Sequence, residues 1–517
     1  MRSTFMGLEA SKRGLFTQQS ALYTTGHNIS NANTEGYTRQ RVNMETTLGY
    51  PGAGLNSPTT AGHIGTGVQV HSVQRMRDEF TDRQYRQETN KLGYWSATTK
   101  AISQMEDVMS EPSEFGINQA FTEFWKSMED VVNDPKDTAA RQVMISKGES
   151  LAESFNYMDT QLKLIQGNLG NEIKVTTNNL NSILKKIADL NDQINTVEPN
   201  GYLPNDLYDA RDKLVDELNE LIPVSISYQE VRGNAVKGIA EGSMTISFKP
   251  YGTNTEIKLV EGREYVHVNA IDTDENIIDG DIDDAATGEY KEFSGFAISD
   301  LDRPPTGTNV VRVDYDSLEP GKGQLVSLID SFGHSGGEGI YPEMLEKLDK
   351  LAEAFILRFN EVHSSGVNLN GDTGIEFFSG DSARTFKVEI SSANEVAAAS
   401  VANEVSNNLK ALELAALQSE TQQAGSNIEG STFQNFYKSL IGDLGVIGEQ
   451  AARLEYNSTT LRLTIENSRA SFNSVSLDEE MTNMITFQQA YNANARMITV
   501  VDETLDKIIN GMGRVGL

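Results

Sequence analysis

One string in this 517-residue chain has the residue types and spacing of a nucleophile. Gly333-His334-Ser335-Gly336-Gly337 fits the G-x-S-x-G pattern, in which a strained turn exposes a serine for acyl transfer. An esterase using Ser335 is therefore one reading. That turn needs a buried strand before it and a helix directly after it, and here Glu338-Gly339-Ile340-Tyr341-Pro342 delays the helix. No HGGG-type loop is present, no βαβ series surrounds the string, and His363 alone lies downstream to act as base.

Metal chemistry has less support. The histidines His27, His63, His71, His267, His334 and His363 fall in no ligand spacing. Asp272-Thr273-Asp274-Glu275-Asn276 and Asp279-Gly280-Asp281-Ile282-Asp283 lack the glycine at loop position six, and Asp283 and Tyr290 stand where position twelve needs glutamate. The acidic run 272–292 therefore reads as solvated surface. No catalytic, cofactor or metal residue is expected.

Composition narrows the classes further. A formal charge of -31 opposes binding to nucleic acid, which depends on lysine and arginine displacing counterions. Thirteen acids against two cations between residues 261 and 302 place much of that charge in one segment. With no cysteine there are no disulfides or thiolate sites. No stretch reaches the roughly 18 apolar residues of a membrane span, and the start, MRSTFMGLEASKRGLF, has no unbroken apolar run or small-residue cleavage site. If the protein leaves the cytoplasm, a route independent of a cleaved signal peptide is expected.

The elements that organise the chain are long helices. Leu8, Leu15, Leu22 and Ile29 recur every seven residues, with Phe5 one turn earlier, as in a helix that winds against partners. At the other end Leu477, Met484, Phe487, Tyr491, Ile498, Val501, Leu505, Ile508 and Met512 keep a three-four spacing broken by Glu480 and Asn494, with Ser476 and Glu479 as a capping box. Asp134-Pro135 is expected to start a helix that runs to Pro199, a rod of about 90 Å at 1.5 Å per residue. A second seam, from Phe436 through Leu454 to Phe472, is expected to pack on that rod and to break near Gly445. From Pro223 to about 335 the period shortens to two, as in Val224, Ile226 and Tyr228, which reads as an inserted β domain before helix returns at Pro342. The class is mainly α with an inserted β domain. The expected division is 1–50 plus 472–517, a terminal assembly domain; 51–222 plus 336–471, a long-helix bundle; and 223–335, the β-rich tip.

Between the first helix and the rest lies NISNANTEGYTRQRV, residues 28–42, a helix stop and turn after which Tyr37, Arg39 and Arg41 alternate. An extended segment there is expected to present an aromatic and two cations on one face.

The ends together resemble the axial proteins of the bacterial flagellum, the rod, hook and hook-associated family. Asn31-Ala32-Asn33-Thr34 and Gly36-Tyr37-Thr38-Arg39 resemble its N-terminal signature, and Phe487-Gln488-Gln489-Ala490-Tyr491-Asn492-Ala493-Asn494-Ala495-Arg496 its C-terminal one. GQLVSLID (323–330), GVNLNGDTGIEFF (366–378) and SVSLDEEMTNMITFQQAY (474–491) are similar to segments of the hook-associated branch, while Asn473-Ser474 departs from the family's glycine-containing pair. The resemblance implies a structural protein of the hook-filament junction, with a hook or rod protein as the alternative. It implies type III export, and as partners a ring of its own copies, the hook protein, hook-associated protein 3 and an export chaperone on the C-terminal helix. The implied assembly residues are Phe5, Leu8, Leu15, Leu22, Ile29, Asn31, Asn33, Gly36, Tyr37, Arg39, Leu477, Met484, Phe487, Tyr491, Ile498, Val501, Leu505 and Ile508. Because each apolar stripe is narrow, both ends are expected to fray until neighbouring subunits cover them.

Overall fold

A computed structural model of the chain describes residues 5–50, 64–109, 116–229, 233, 238–252, 256–278, 290–305, 310–334, 336–402, 404, 406–423 and 426–511. Ser335, His63, Met512 and the Asp279-Asp283 run lie outside the described residues.

The chain opens with helix α1 (Phe5–Ser30), then an antiparallel hairpin of β1 (Gln40–Thr46) and β2 (Val68–Arg75). The helical body follows: α2 (Glu79–Met109), α3 (Ile117–Asn133), the 60-residue α4 (Thr138–Val197) and α5 (Asn205–Leu221). The shaft starts three residues later than expected. Asp137 caps it, its carboxylate accepting the Ala139 N–H at 2.8 Å, whereas Asp134 closes α3 by donating its backbone N–H to Asp130. Gly201, at φ +86°, ends the turn after α4, a conformation that side chains with a Cβ resist.

Two small antiparallel sheets come next, one of β3 (Ser225–Gln229), β4 (Ser243–Phe248), β5 (Ile257–Glu261) and β6 (Glu264–Tyr265), the other of β7 (Val268–Asp272), β8 (Phe293–Ile298) and β9 (Val311–Asp314). Polar clips fasten them to the shaft: Asn181 exchanges hydrogen bonds with the Val268 backbone at 2.7 and 2.8 Å, and Asn191 with Met244 at 2.8 and 3.0 Å. Within the stretch expected to be β, Gln324–Phe332 forms helix α6. Its Leu325, Val326, Leu328 and Ile329 are all buried, so neither an alternating nor a one-sided pattern marks it.

The chain returns through α7 (Ile340–Ser364), a short β10 (Phe378–Ser379) and β11 (Lys387–Val388) pair, α8 (Leu409–Ala416), α9 (Phe433–Asn473) and α10 (Leu477–Gly511). Rings from α3, α4, α7, α9 and the β10/β11 turn knit the base of the body, with Phe121 and Phe355 at 5.2 Å and Phe377 and Phe378 at 4.6 Å between centroids.

Two expectations about α9 fail. It is one unbroken helix through Gly442, Gly445 and Gly448, and it lies along α2, not along the shaft. A Cβ on Gly448 would sit 2.8 Å from Glu106 Oε1 and 3.1 Å from Ile102 Cγ2, so this glycine brings two backbones close together instead of breaking the helix. Neither α2 nor α3 is anticipated by the periodicity reading. The first half of α2 buries Thr81, Asp82, Arg86, Thr89, Asn90 and Gly93, small and polar groups that leave no apolar stripe to read, and the apolar face starts only at Ala97 and continues through Ala101, Ile102, Met105 and Met109.

Candidate functional site

The two ends of the chain meet: α1 packs along α10, and the β1/β2 hairpin braces α1. The buried face of α1 is Gly14, Thr17, Ala21, Thr24, Thr25 and Asn28. Leu8, Leu15, Leu22 and Ile29, expected to form the seam, are half-buried beside it and Phe5 is exposed. Small residues form the contact line because they let the helix backbones approach, leaving the larger side chains on its flanks. On α10, Met484, Phe487, Tyr491, Ile498, Val501 and Leu505 are half-buried, while Leu477 and Ile508 are exposed.

The two apparent breaks in the C-terminal pattern make close contacts with α1, one polar and one steric. Glu480 is buried, at 2 % exposure, between Asn28 and Arg39. It accepts Asn28 Nδ2 at 3.1 Å and Arg39 Nε at 2.8 Å. Asn494 lies over Gly14, where an added Cβ would be 2.8 Å from its Oδ1. Sequence pattern missed both residues as contacts, since a polar residue in an apolar stripe reads as an interruption when its partner lies more than 440 positions away.

The 28–42 string is the clamp around Glu480. Asn28 Oδ1 accepts the Tyr37 hydroxyl at 2.8 Å and the Gln40 N–H at 3.0 Å. Asn28 Nδ2 also donates to the Gln40 carbonyl at 2.8 Å. Burial, with Asp206 and Asp209 nearby, pushes the Tyr37 hydroxyl well above its usual range, so it remains a donor. Arg39 donates through both terminal nitrogens to Glu479, at 2.9 and 3.0 Å, and its backbone N–H reaches the Asn473 carbonyl at 2.9 Å. That bond to Arg39 holds the Glu479 carboxyl below its usual range. Glu479 thus pairs with Arg39, and the Ser476 carbonyl accepts the Glu480 N–H.

Asn31 caps the end of α1 through the His27 carbonyl, Asn33 and Gly36 are exposed in the turn, and Gly36 takes φ +81°. Tyr37 and Arg39 turn inward and Arg41 alone faces out, so the expected aromatic and cationic face does not form. The reason is the pair of buried acceptors, Asn28 Oδ1 and Glu480, which draw the first two side chains in.

Below the clamp, an ion-pair cluster ties the ends to the body. On α5, Asp209, Asp212 and Asp216 lie on one face, three and four residues apart. Arg75 on β2 reaches Asp209 and Asp212 at 2.8 Å and also Glu241. Arg77 pairs with Asp212 and with Asp82. Arg86 on α2 meets Asp216 at 2.7 Å and Asp212 at 3.5 Å, and Arg469 on α9 bridges Asp82 and Asp216 at 2.7 and 2.8 Å. Burial would raise the Asp212 pKa, but Arg77, Arg75, Arg86 and Arg211 together hold it well below the usual carboxylate range. At Asp209 burial prevails over Arg75 and the pKa rises. The three-four spacing of these aspartates was the available signal in the sequence.

His334, His363 and Asp272 each have partners within the fold. His334 stacks on Tyr315 at 3.5 Å. His363 has both ring nitrogens engaged by backbone, Nδ1 with the Ile375 carbonyl at 2.8 Å and Nε2 accepting the Ala397 N–H at 2.9 Å, and burial lowers its pKa to about 4. Asp272 Oδ1 accepts the N–H groups of Asp274 and Asn276, each at 2.8 Å, which orders the turn.

Known proteins carry the same pattern. Residues 8–38 match the family described as flagella basal body rod protein, 472–511 the flagellar basal body rod FlgEFG protein C-terminal family, and 102–378 the flagellar hook-associated protein FlgK helical domain. Paired rod-type ends on a helical body define an axial protein of the flagellum, a structural component of that organelle. Flagellar hook-associated protein 1 of Bacillus subtilis (strain 168) is 39% identical over 529 residues, covering 99% of both chains, and that of Escherichia coli (strain K12) is 27% identical over 96% of this chain and 98% of its own. The chain belongs to the flagellar hook-associated protein 1 family. The flagellar hook junction protein FlgK from Burkholderia pseudomallei shares the fold, with a TM-score of 0.62 at 13% identity over 76% of this chain and 100% of that one.

Proposed function

We propose that this protein joins hook to filament as a ring of copies held through α1 and α10. The observation that carries the reading is the incomplete burial of the paired ends. Phe16 and Tyr23 on α1 are 55 % and 77 % exposed, and Met481, Ile485, Met497 and Val500 on α10 are all more than half exposed. Such a stripe on an isolated molecule marks a surface that other chains cover. The eighteen terminal residues named in the sequence analysis are the proposed interface, and the division into terminal, helical and β-rich parts is the proposed functional anatomy.

In this reading the ends fray in the free chain, pass the export channel unfolded without a cleaved signal peptide, and order when neighbours supply the missing faces. The outer neighbours are the hook protein on one side and hook-associated protein 3 on the other, and an export chaperone covers α10 beforehand. The role is structural, not enzymatic: His363, the base an esterase would need, is held by backbone on both nitrogens.

Deleting residues 477–517 tests the assignment. Loss of incorporation at the hook tip, with the β sheets still folded, is expected, whereas normal filament growth by the truncated chain would refute it. Ser335→Ala is expected to leave swimming unchanged, and a loss of ester hydrolysis together with motility would favour the enzyme.

A further inference from the structure

Three close contacts between α1 and α10 share one register. A Cβ on Gly7 would lie 3.9 Å from Val501 Cγ2, Gly14 faces Asn494, and Asn28 donates to Glu480. From the first contact to the third, the positions advance by seven and then fourteen residues on α1 and retreat by the same steps on α10. The line is a heptad seam in which two of the three contacts are polar on the α10 side.

We infer that Asn494 over Gly14, and Glu480 between Asn28 and Arg39, are a two-point register key that admits one antiparallel alignment of the chain's ends. This rests on the proposed assembly role of those ends and adds what makes their pairing selective. At the first point the key is steric: Asn494, its Nδ2 bonded back to the Ala490 carbonyl at 3.0 Å, leaves no room opposite for a Cβ. At the second it is electrostatic: a buried carboxylate is tolerated where an amide and a guanidinium both reach it.

A slip by one heptad breaks the key in either direction. Moved one way, Asn494 meets Gly7 and is still accommodated, but Glu480 is buried against the Ala21 methyl, away from Asn28, so the electrostatic point is lost. Moved the other way, Asn494 meets the Cβ of Ala21, Phe487 meets Asn28, and Glu480 passes the end of α1 at Ser30. A uniformly apolar seam would tolerate such slips, and single buried polar residues fix register in other helix pairs. Where many copies of similar helices lie side by side, the key lets α1 take α10 of matching sequence in one alignment and rejects other axial helices lacking the same matches.

The chain has no cysteine, so disulfide trapping reads the register directly. In the purified full-length protein under a glutathione buffer, Gly7→Cys with Val501→Cys reports the observed alignment, and Gly7→Cys with Ile508→Cys reports the one-heptad slip. With the key intact, the first pair is expected to form its intramolecular bridge at least about tenfold faster than the second, the preference a single well-placed buried charge can supply. With Glu480→Ala and Asn494→Ala added, the two rates should converge. A preference that survives the removal of both key residues overturns the inference, as does slipped trapping at comparable rate while the key is intact. A second measurement guards against a merely damaged helix: Gly14→Ala should lower the rate of the first pair, and Asn494→Ala in the same chain should restore it. Failure of that rescue also counts against the key. These readings do not require incorporation into a flagellum, so they fail or succeed separately from the truncation test.

Discussion

Replacing Asp212 with Asn is the sharpest test of how the terminal elements are held to the body. Asp212 Oδ2 receives Arg75 Nη1 at 2.8 Å and also Arg77, while Oδ1 faces Arg86 at 3.5 Å, and the side chain is almost wholly buried. Asn keeps the size and one acceptor but removes the charge that three guanidinium groups share. Breaking a buried pair by deleting one partner costs about 3–5 kcal/mol. Here the lower end applies, about 3 kcal/mol by the same rule, because Arg75 keeps Asp209 and Glu241, Arg77 keeps Asp82, and Arg86 keeps Asp216.

A loss of that size corresponds to roughly a hundredfold increase in local opening. Amide hydrogen exchange should therefore quicken by about that factor in β2 and the first turns of α5, with the ring cluster around Phe355 unaffected. The pH dependence has a definite sign. The folded pKa of Asp212 is depressed, so its contribution is present above its unfolded value, about 3.9, and is lost as the pH falls through the lower folded value. Asp209 has the opposite shift and weakens the fold as it ionises, so the acid-side loss belongs to Asp212. In Asp212→Asn that acid-side loss should be largely gone. Exchange in β2 within about 0.5 kcal/mol of the parent at neutral pH would refute the claim that this carboxylate fastens the hairpin.

The remaining predictions concern the body. His363, with its pKa lowered to about 4, favours the neutral ring, so stability is full above its unfolded value near 6.5 and should decline by about 3 kcal/mol as pH falls toward 4. Urea titrations at pH 7 and pH 4.5 should show that loss, and His363→Gln should shrink it. A methyl group on Gly445 would meet nothing within 4 Å beyond its own stretch of helix, so Gly445→Ala should stabilise α9 by about 1 kcal/mol, shifting the urea midpoint upward. Gly448→Val, against Ile102 and Glu106, should instead cost about 1–3 kcal/mol in the same titration.

Much of the architecture was legible because it is written in local periodicity. The 60-residue shaft, the seam of α7 and the long C-terminal helix each repeat an apolar residue every three or four positions, and each is present. The alternation after Pro223 likewise marked β3 and β4. The first half of α2, whose inner face is small and polar, left no such trace, and with that helix unread α9 was assigned the wrong neighbour.

The sequence by itself determined that this is a long-helix protein with matched ends, because heptad spacing and the end signatures are properties of neighbouring residues. Tertiary structure alone decided which residues do the joining. Glu480 and Asn494 interrupt an apolar stripe until Asn28, Arg39 and Gly14 are placed opposite them. The apolar residues that make a helix conspicuous in sequence need only a nonspecific cover, whereas a buried charge or a missing Cβ acquires its meaning from one particular partner, and that partner is supplied by the fold.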